Sequence, residues 1–136
     1  MIYLDSSALV KLVVREDETA ALEKWLAAQS GAAVVCELAR AEVVRAVRPC
    51  GPQAVSTAKA LMARLRTLPV DTPLLAAAAE LGPARLRTLD ALHLSAAHLL
   101  ERALDWFVAY DKRLLAAAEE AGFPVAAPGL HGAGPG

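Results

Sequence analysis

Short runs of β-forming residues alternate along this chain with longer stretches of helical period, and that alternation limits the fold more than any other feature. Apolar runs at 2–4, 33–35, 69–70, 106–109 and 124–126 read as strands. The segments between them are long enough for helical crossovers, so the strands are expected to run parallel in one small sheet, and the class is α/β. Helix ends are marked as well. Acids at Asp17 and Glu18 open a segment whose apolar positions Ala21, Leu22, Trp25 and Leu26 recur with helical spacing, with Gly31 beyond its end. Pro52 suits a first helical position, ahead of a stripe of Val55, Ala58, Leu61, Met62 and Leu65. Thr88 is expected to cap a helix that turns Leu92, Ala96, Leu99 and Leu100 toward the core. The last helix is expected from 112 to 121, with Gly122 as its stop.

A chain of 136 residues has room for one hydrophobic core. The domain is placed at 1–127, and 128–136, dominated by Gly and Pro, is expected to be a flexible tail. Charges interrupt every Ala/Leu run before the ~18 apolar residues of a membrane span, so no membrane partner is expected. Asp5 and Lys11 break up the region where a secretory signal would lie, and a cytoplasmic location is the expectation. Cys36 and Cys50, far apart and without a C-x-x-C spacing, read as buried free thiols. The formal net charge of −1, from 14 basic and 15 acidic residues, argues against a uniformly basic nucleic-acid coat.

Four acids stand where an element ends or where an apolar helix face should continue. Asp5 closes the first apolar run in MIYLDSSALVKLVV. Glu42, in CELARAEVVRAV, shares a helical side with Ala39, Val43 and Ala46. Asp90 lies in LRTLDALHLSAA, and Asp111 follows the run at 106–109. Each has a local explanation: Asp5 and Asp111 as helix caps, Asp90 as a first-turn acid, Glu42 as a partner of Arg45 at i+3. In a parallel sheet, however, strand C-termini and the helix N-termini after them converge on one edge. Several carboxylates gathered there repel one another unless a cation joins them. Oxygen ligands of this kind suit Mg²⁺ or Mn²⁺, and the lack of clustered Cys and His argues against zinc. His93 and His98 do not share a helix face, so His93 reads as structural.

Together the four segments resemble the PIN-domain ribonucleases, particularly the VapC toxins of type II toxin–antitoxin pairs. MIYLDSSALVKLVV resembles the family's first motif, LARAEVVRA the second, LRTLDALHLSAA the third and FVAYDKRLLAAAEEAG the fourth, so the likeness spans residues 1 to about 125. It implies a three-layer PIN-like domain, with a short central parallel sheet of about five strands flanked by helices. It also implies that Asp5, Glu42, Asp90 and Asp111 are both catalytic residues and ligands for one or two Mg²⁺ or Mn²⁺ ions, with Ser6 as a polar helper. A VapB-type antitoxin covering the acidic groove, an RNA substrate and a homodimer are further implications. One position departs from the pattern: Ala109 stands where the family commonly carries Thr or Ser in T-x-D, which removes a hydroxyl near the last acid.

The chemistry implied is hydrolysis of a phosphodiester by a metal-activated water held by the acidic cluster. Lys11, Arg40, Arg45, Arg85, Arg87 and Lys112 lie near the motifs and are candidate RNA contacts, each with ordinary solvated charge as its plain alternative. Tyr110 is expected to pack rather than to stack on a base. Two other functions fit parts of the pattern. A catalytically weak or inactive binding module on the same fold is compatible with Ala109. A metal-dependent phosphatase is a poorer match, because Ser6 and Ser7 follow Asp5 where a second acid would be needed.

Overall fold

The computed structural model describes residues 1–130. Five parallel strands form one sheet: β1 (Ile2–Leu4), β2 (Ala33–Cys36), β3 (Arg66–Leu68), β4 (Trp106–Val108) and β5 (Val125–Ala126), in the order β3-β2-β1-β4-β5. Seven α-helices complete the described residues: α1 (Ser6–Val13), α2 (Thr19–Ala27), α3 (Ala39–Val47), α4 (Pro52–Arg64), α5 (Thr72–Glu80), α6 (Thr88–His98) and α7 (Lys112–Glu120). The class is the expected three-layer α/β domain.

Alternation along the strands builds two cores. Ile2 and Leu4 of β1, with Val35 and Val108, face the layer of α1 to α4. There they meet Ala8, Leu9, Leu22, Val43 and Met62. Tyr3, Cys36 and Phe107 face the other way, onto Leu74 of α5, Leu94 and Ala97 of α6 and Leu114 of α7. The central strand β1 is therefore apolar on both sides, as a strand covered by helices must be. Small residues let the helices come close. Ala8, Ala39, Ala58, Ala96, Ala97 and Ala118 are all fully buried, which explains how a chain with few aromatics fills its interior.

Several local expectations shift. The third strand lies at Arg66–Leu68 rather than at 69–70, because Pro69 has no N–H for the ladder and the pairing ends before it. Thr88 does not cap α6. The flanking residue is Arg87, no side chain caps that end, and Thr88 is already helical. A single apolar stripe also fails to describe α6, since every residue from Ala91 to Ala97 is buried while Leu99 is 60% exposed. The helix Thr72–Glu80 has no counterpart among the helices expected. Its Leu/Ala run carries too few polar residues to show a period, and its start is set by Asp71, whose side chain accepts from the Leu74 N–H. Cys36 is buried as expected, whereas Cys50, at the turn before α4, is exposed.

The end of α7 follows the expected signal. Gly122 has φ 86°, and the amides of Gly122 and Phe123 bond back to the carbonyls of Glu119 and Ala118. Of the segment 128–136, residues 131–136 lie outside the described residues. Pro128 O accepts a 2.8 Å hydrogen bond from the Tyr110 hydroxyl, and Leu130 packs on the α6/α7 core.

Candidate functional site

The sheet order places the topological switch at the centre. From β1 the chain moves outward through β2 to β3, then returns to the other side of β1 as β4. In open α/β sheets the ligand crevice lies at such a point, which here is beyond the C-terminal ends of β1 and β4. Asp5 follows β1, Asp111 starts α7 after β4, and Glu42 and Asp90 stand in the first turns of α3 and α6.

The capping explanations of Asp5 and Asp111 hold, and they use only one oxygen of each acid. Asp5 is 4% exposed. Its Oδ1 accepts from the Ala8 N–H at 3.1 Å and from the Ser7 hydroxyl at 2.6 Å. Asp111 Oδ1 accepts from the amides of Arg113 and Leu114 at 2.9 and 3.2 Å. Glu42 does not use Arg45. Its Oε1 takes a 2.6 Å bond from the Ser6 hydroxyl and a 2.7 Å bond from His93 Nε2. Asp90 is different again: its Oδ2 is buried and has no hydrogen-bond partner, and the nearest cation is Arg113 Nε at 3.7 Å.

Electrostatics follows from these contacts. Burial raises the Asp5 carboxyl above its ordinary range, with the nearby His93 and the bonds from Ser7 and Ala8 working against the rise. Burial and the neighbouring Asp111 raise Asp90, opposed by Arg113, His93 and Arg87. Burial pushes Glu42 up too, but the interaction with His93 and the Ser6 hydroxyl outweighs it, so Glu42 ends below its ordinary value. His93 thus acts on three of the four acids.

Among the described residues, no three His, Cys, Asp or Glu side chains stand close enough to form a ready metal cage. The donor set nevertheless suits a hard cation. The hydrogen bonds to Asp5, Glu42 and Asp111 each fall on one oxygen, and Asp90 brings a buried oxygen that no hydrogen-bond donor reaches. An orphaned buried carboxylate oxygen beside a second acid calls for positive charge.

Ser6, expected as a polar helper near a metal, gives its hydroxyl to Glu42. Ser7 was missed. Its hydroxyl donates to Asp5 and accepts from the Tyr110 N–H at 2.8 Å, tying the ends of β1 and β4 together and bringing a hydroxyl next to Ala109. Ser7→Ala is expected to leave that amide unpaired and to cost about 1–3 kcal/mol, read as a lower urea midpoint at unchanged m-value. His93 was also missed as a partner of the acids, although its i+3 spacing from Asp90 put both on one side of α6. Arg113, two residues after Asp111, had no periodic signal; it stands 3.9 Å from Asp111 as well as near Asp90.

The basic candidates separate. Lys11 is held by Glu16 and Glu18 at 3.3 and 2.9 Å and lies over the Tyr110 ring, and Arg40 pairs with Glu37 at 2.7 Å. Arg45 and Lys112 are exposed. Arg85 and Arg87 join Arg113 in lining a cavity of about 170 Å³ between the loop before α6 and α7. Tyr110, with its hydroxyl on Pro128, serves packing.

A PIN-domain family model matches residues 2–120. The chain belongs to the PIN-domain family. Among relatives of this PIN domain, "Ribonuclease VapC47" of Mycobacterium tuberculosis is 46% identical over 133 residues, covering 95% of this chain and 98% of that protein. Two solved structures share the fold. The M. tuberculosis VapC20 toxin, described as cleaving the sarcin–ricin loop, superposes with TM-score 0.76 at 18% identity, over 94% of this chain and 100% of that one. A toxin–antitoxin complex from Klebsiella pneumoniae gives TM-score 0.71 at 15% identity, over 94% and 98%. No described helix of this PIN domain is long and apolar enough to cross a membrane.

Proposed function

We propose that this PIN domain is a divalent-metal-dependent endoribonuclease of the VapC type, the toxin of a toxin–antitoxin pair, acting in the cytoplasm. The observation that carries the reaction class is 46% identity to a ribonuclease over nearly the full length of both chains. Metal dependence is supported by the one-sided bonding of the acids and the orphaned Asp90 oxygen.

Asp5, Glu42 and Asp90 would hold the principal Mg²⁺ or Mn²⁺, and Asp111 would complete the site directly, through water or with a second ion. A divalent cation bound there supplies a nucleophile competent at neutral pH and neutralises charge on the phosphoryl oxygens. The chain's own residues prepare the site. Ser7 and the Ala8 amide aim Asp5, and Ser6 with His93 keeps Glu42 ionised and oriented. Arg85, Arg87 and Arg113, at the cavity beside Asp90, are suited to the backbone of a bound RNA, with Arg45 and Lys112 as outlying contacts. Lys11 and Arg40 contribute less, because acids already hold them.

An antitoxin partner is supported by the likeness to a toxin–antitoxin complex, and a second copy of the chain would cover apolar surface such as the exposed Leu75 and Leu89. The test is incubation of the purified protein with structured RNA in Mg²⁺ or Mn²⁺ and, in parallel, in excess chelator. Cleavage with metal and none with chelator is expected. Failure to cut with either ion, combined with tight binding of an antitoxin, would favour the inactive binding module that Ala109 allows.

A further inference from the structure

One buried polar group lies outside the acid set yet touches it. His93, on α6, is 2% exposed, and both ring nitrogens are engaged at 2.7 Å: Nε2 with Glu42 Oε1 and Nδ1 with the Tyr3 hydroxyl. Tyr3 is fully buried on β1, two residues before Asp5, stacked on Phe107 with ring centroids 5.2 Å apart. Tyr3 faces the core covered by α6, whereas Glu42 stands on α3 in the layer on the other side of the sheet. The chain Tyr3–His93–Glu42 therefore bridges the two layers at the crevice.

The hydrogen-bond chemistry has one consistent arrangement for a neutral ring. An ionised Glu42 can only accept, so Nε2 carries the proton and donates to it. Nδ1 then accepts from the Tyr3 phenol. With both nitrogens committed, His93 has no lone pair for a cation, and its effect on a metal must pass through Glu42.

Building on the metal-nuclease reading, we infer that His93 is a positioning residue. Locked by Tyr3, it holds Glu42 Oε1 so that the other carboxylate oxygen faces the cation. The arrangement matches the general pattern in which a second hydrogen-bonded group orients a metal-ligating carboxylate, where removal typically costs about 10–100-fold in metal affinity. Ser6 shares the same oxygen, so the two donors fix the carboxylate from both sides.

The test is a calorimetric Mn²⁺ titration of wild type, Tyr3→Phe, His93→Gln and His93→Leu, with thermal unfolding recorded in chelator for each. His93→Gln retains an amide N–H at the position of Nε2, and Tyr3→Phe preserves the packed ring, so these two keep the experiment decisive where His93→Leu fails to fold. The expected result is affinity about 10–100-fold weaker in His93→Leu, a smaller loss in Tyr3→Phe and recovery close to wild type in His93→Gln. Equal affinities in all folded variants would overturn the inference while leaving the nuclease reading intact. A wild type that takes up no Mn²⁺ would overturn both.

Discussion

Asp90→Asn is expected to lower metal-dependent RNA cleavage by on the order of a thousandfold, which corresponds to about 4 kcal/mol of barrier. No hydrogen bond accounts for its place: Oδ2 is buried without a donor, and its ion pair with the Arg113 guanidinium is a loose one at 3.7 Å. Asparagine keeps the shape and removes the charge. Asp5→Asn is expected to lose a comparable factor for a cleaner structural reason. Its amide oxygen can still accept from Ser7 and Ala8, and Asn is as good an N-cap as Asp. The cap would survive and the anionic ligand would not. Single-turnover cleavage of a labelled structured RNA, with circular dichroism to establish folding, measures both. Wild-type rates in the two variants would exclude the acidic site as the catalytic centre.

The same Asp90 variant carries a pH signature in the metal-free protein. Burial and Asp111 raise the folded-state pKa of Asp90 above the ordinary 3.8, so the native state binds this proton more tightly than the unfolded chain does. Its contribution to stability is fully present below the unfolded value and is lost as the pH rises through the raised folded value. Asparagine does not titrate. In chelator, the stability of Asp90→Asn relative to wild type should therefore increase with pH across that window and level off above it. Urea unfolding at a series of pH values gives the difference directly. Saturating Mn²⁺ should reverse the order, because the cation binds the native wild type and adds to its stability by mass action.

The largest expected effect on folding is that of Phe107→Ala. Phe107 is fully buried on β4, stacked between Tyr3 and Phe123 at centroid distances of 5.2 and 5.8 Å, in the core beneath α6 and α7. Truncating such a ring costs about 3–5 kcal/mol from lost burial and the cavity left behind, against a total stability of about 5–15 kcal/mol for a typical domain. Much of the protein's margin would go. The damage should reach the site too, since the same ring supports Tyr3 and, through it, His93 and Glu42. Chemical denaturation with guanidinium measures the loss, and a change under about 1 kcal/mol would show that the cavity collapses.

How much of this was legible beforehand depends on the range of the interaction. The strand at the start, the proline at the head of α4 and the glycine after α7 were readable because caps, rings and turns act over a few residues. The strand before Pro69 was misplaced by an interaction equally local, a missing amide. The helix at Thr72–Glu80 was missed for another reason: an Ala/Leu run has no polar face, and periodicity needs contrast. Cys50 shows the limit of composition, since a thiol's burial depends on where its turn is placed.

By itself, the sequence determined which acids exist, in which order and beside which element ends, because helix termini and strand ends follow from local chemistry. Only the tertiary structure decided what those acids touch. The sheet order brought β4 back beside β1, so Ser7 could clasp Asp5 and the Tyr110 amide. The packing of α6 against β1, and across the crevice from α3, turned His93 into the partner of Glu42. The Ser7–Tyr110 and His93–Glu42 contacts join residues 103 and 51 positions apart. No local pattern encodes such pairs, since they form only when burial of two separate cores fixes the layers on either side of the sheet.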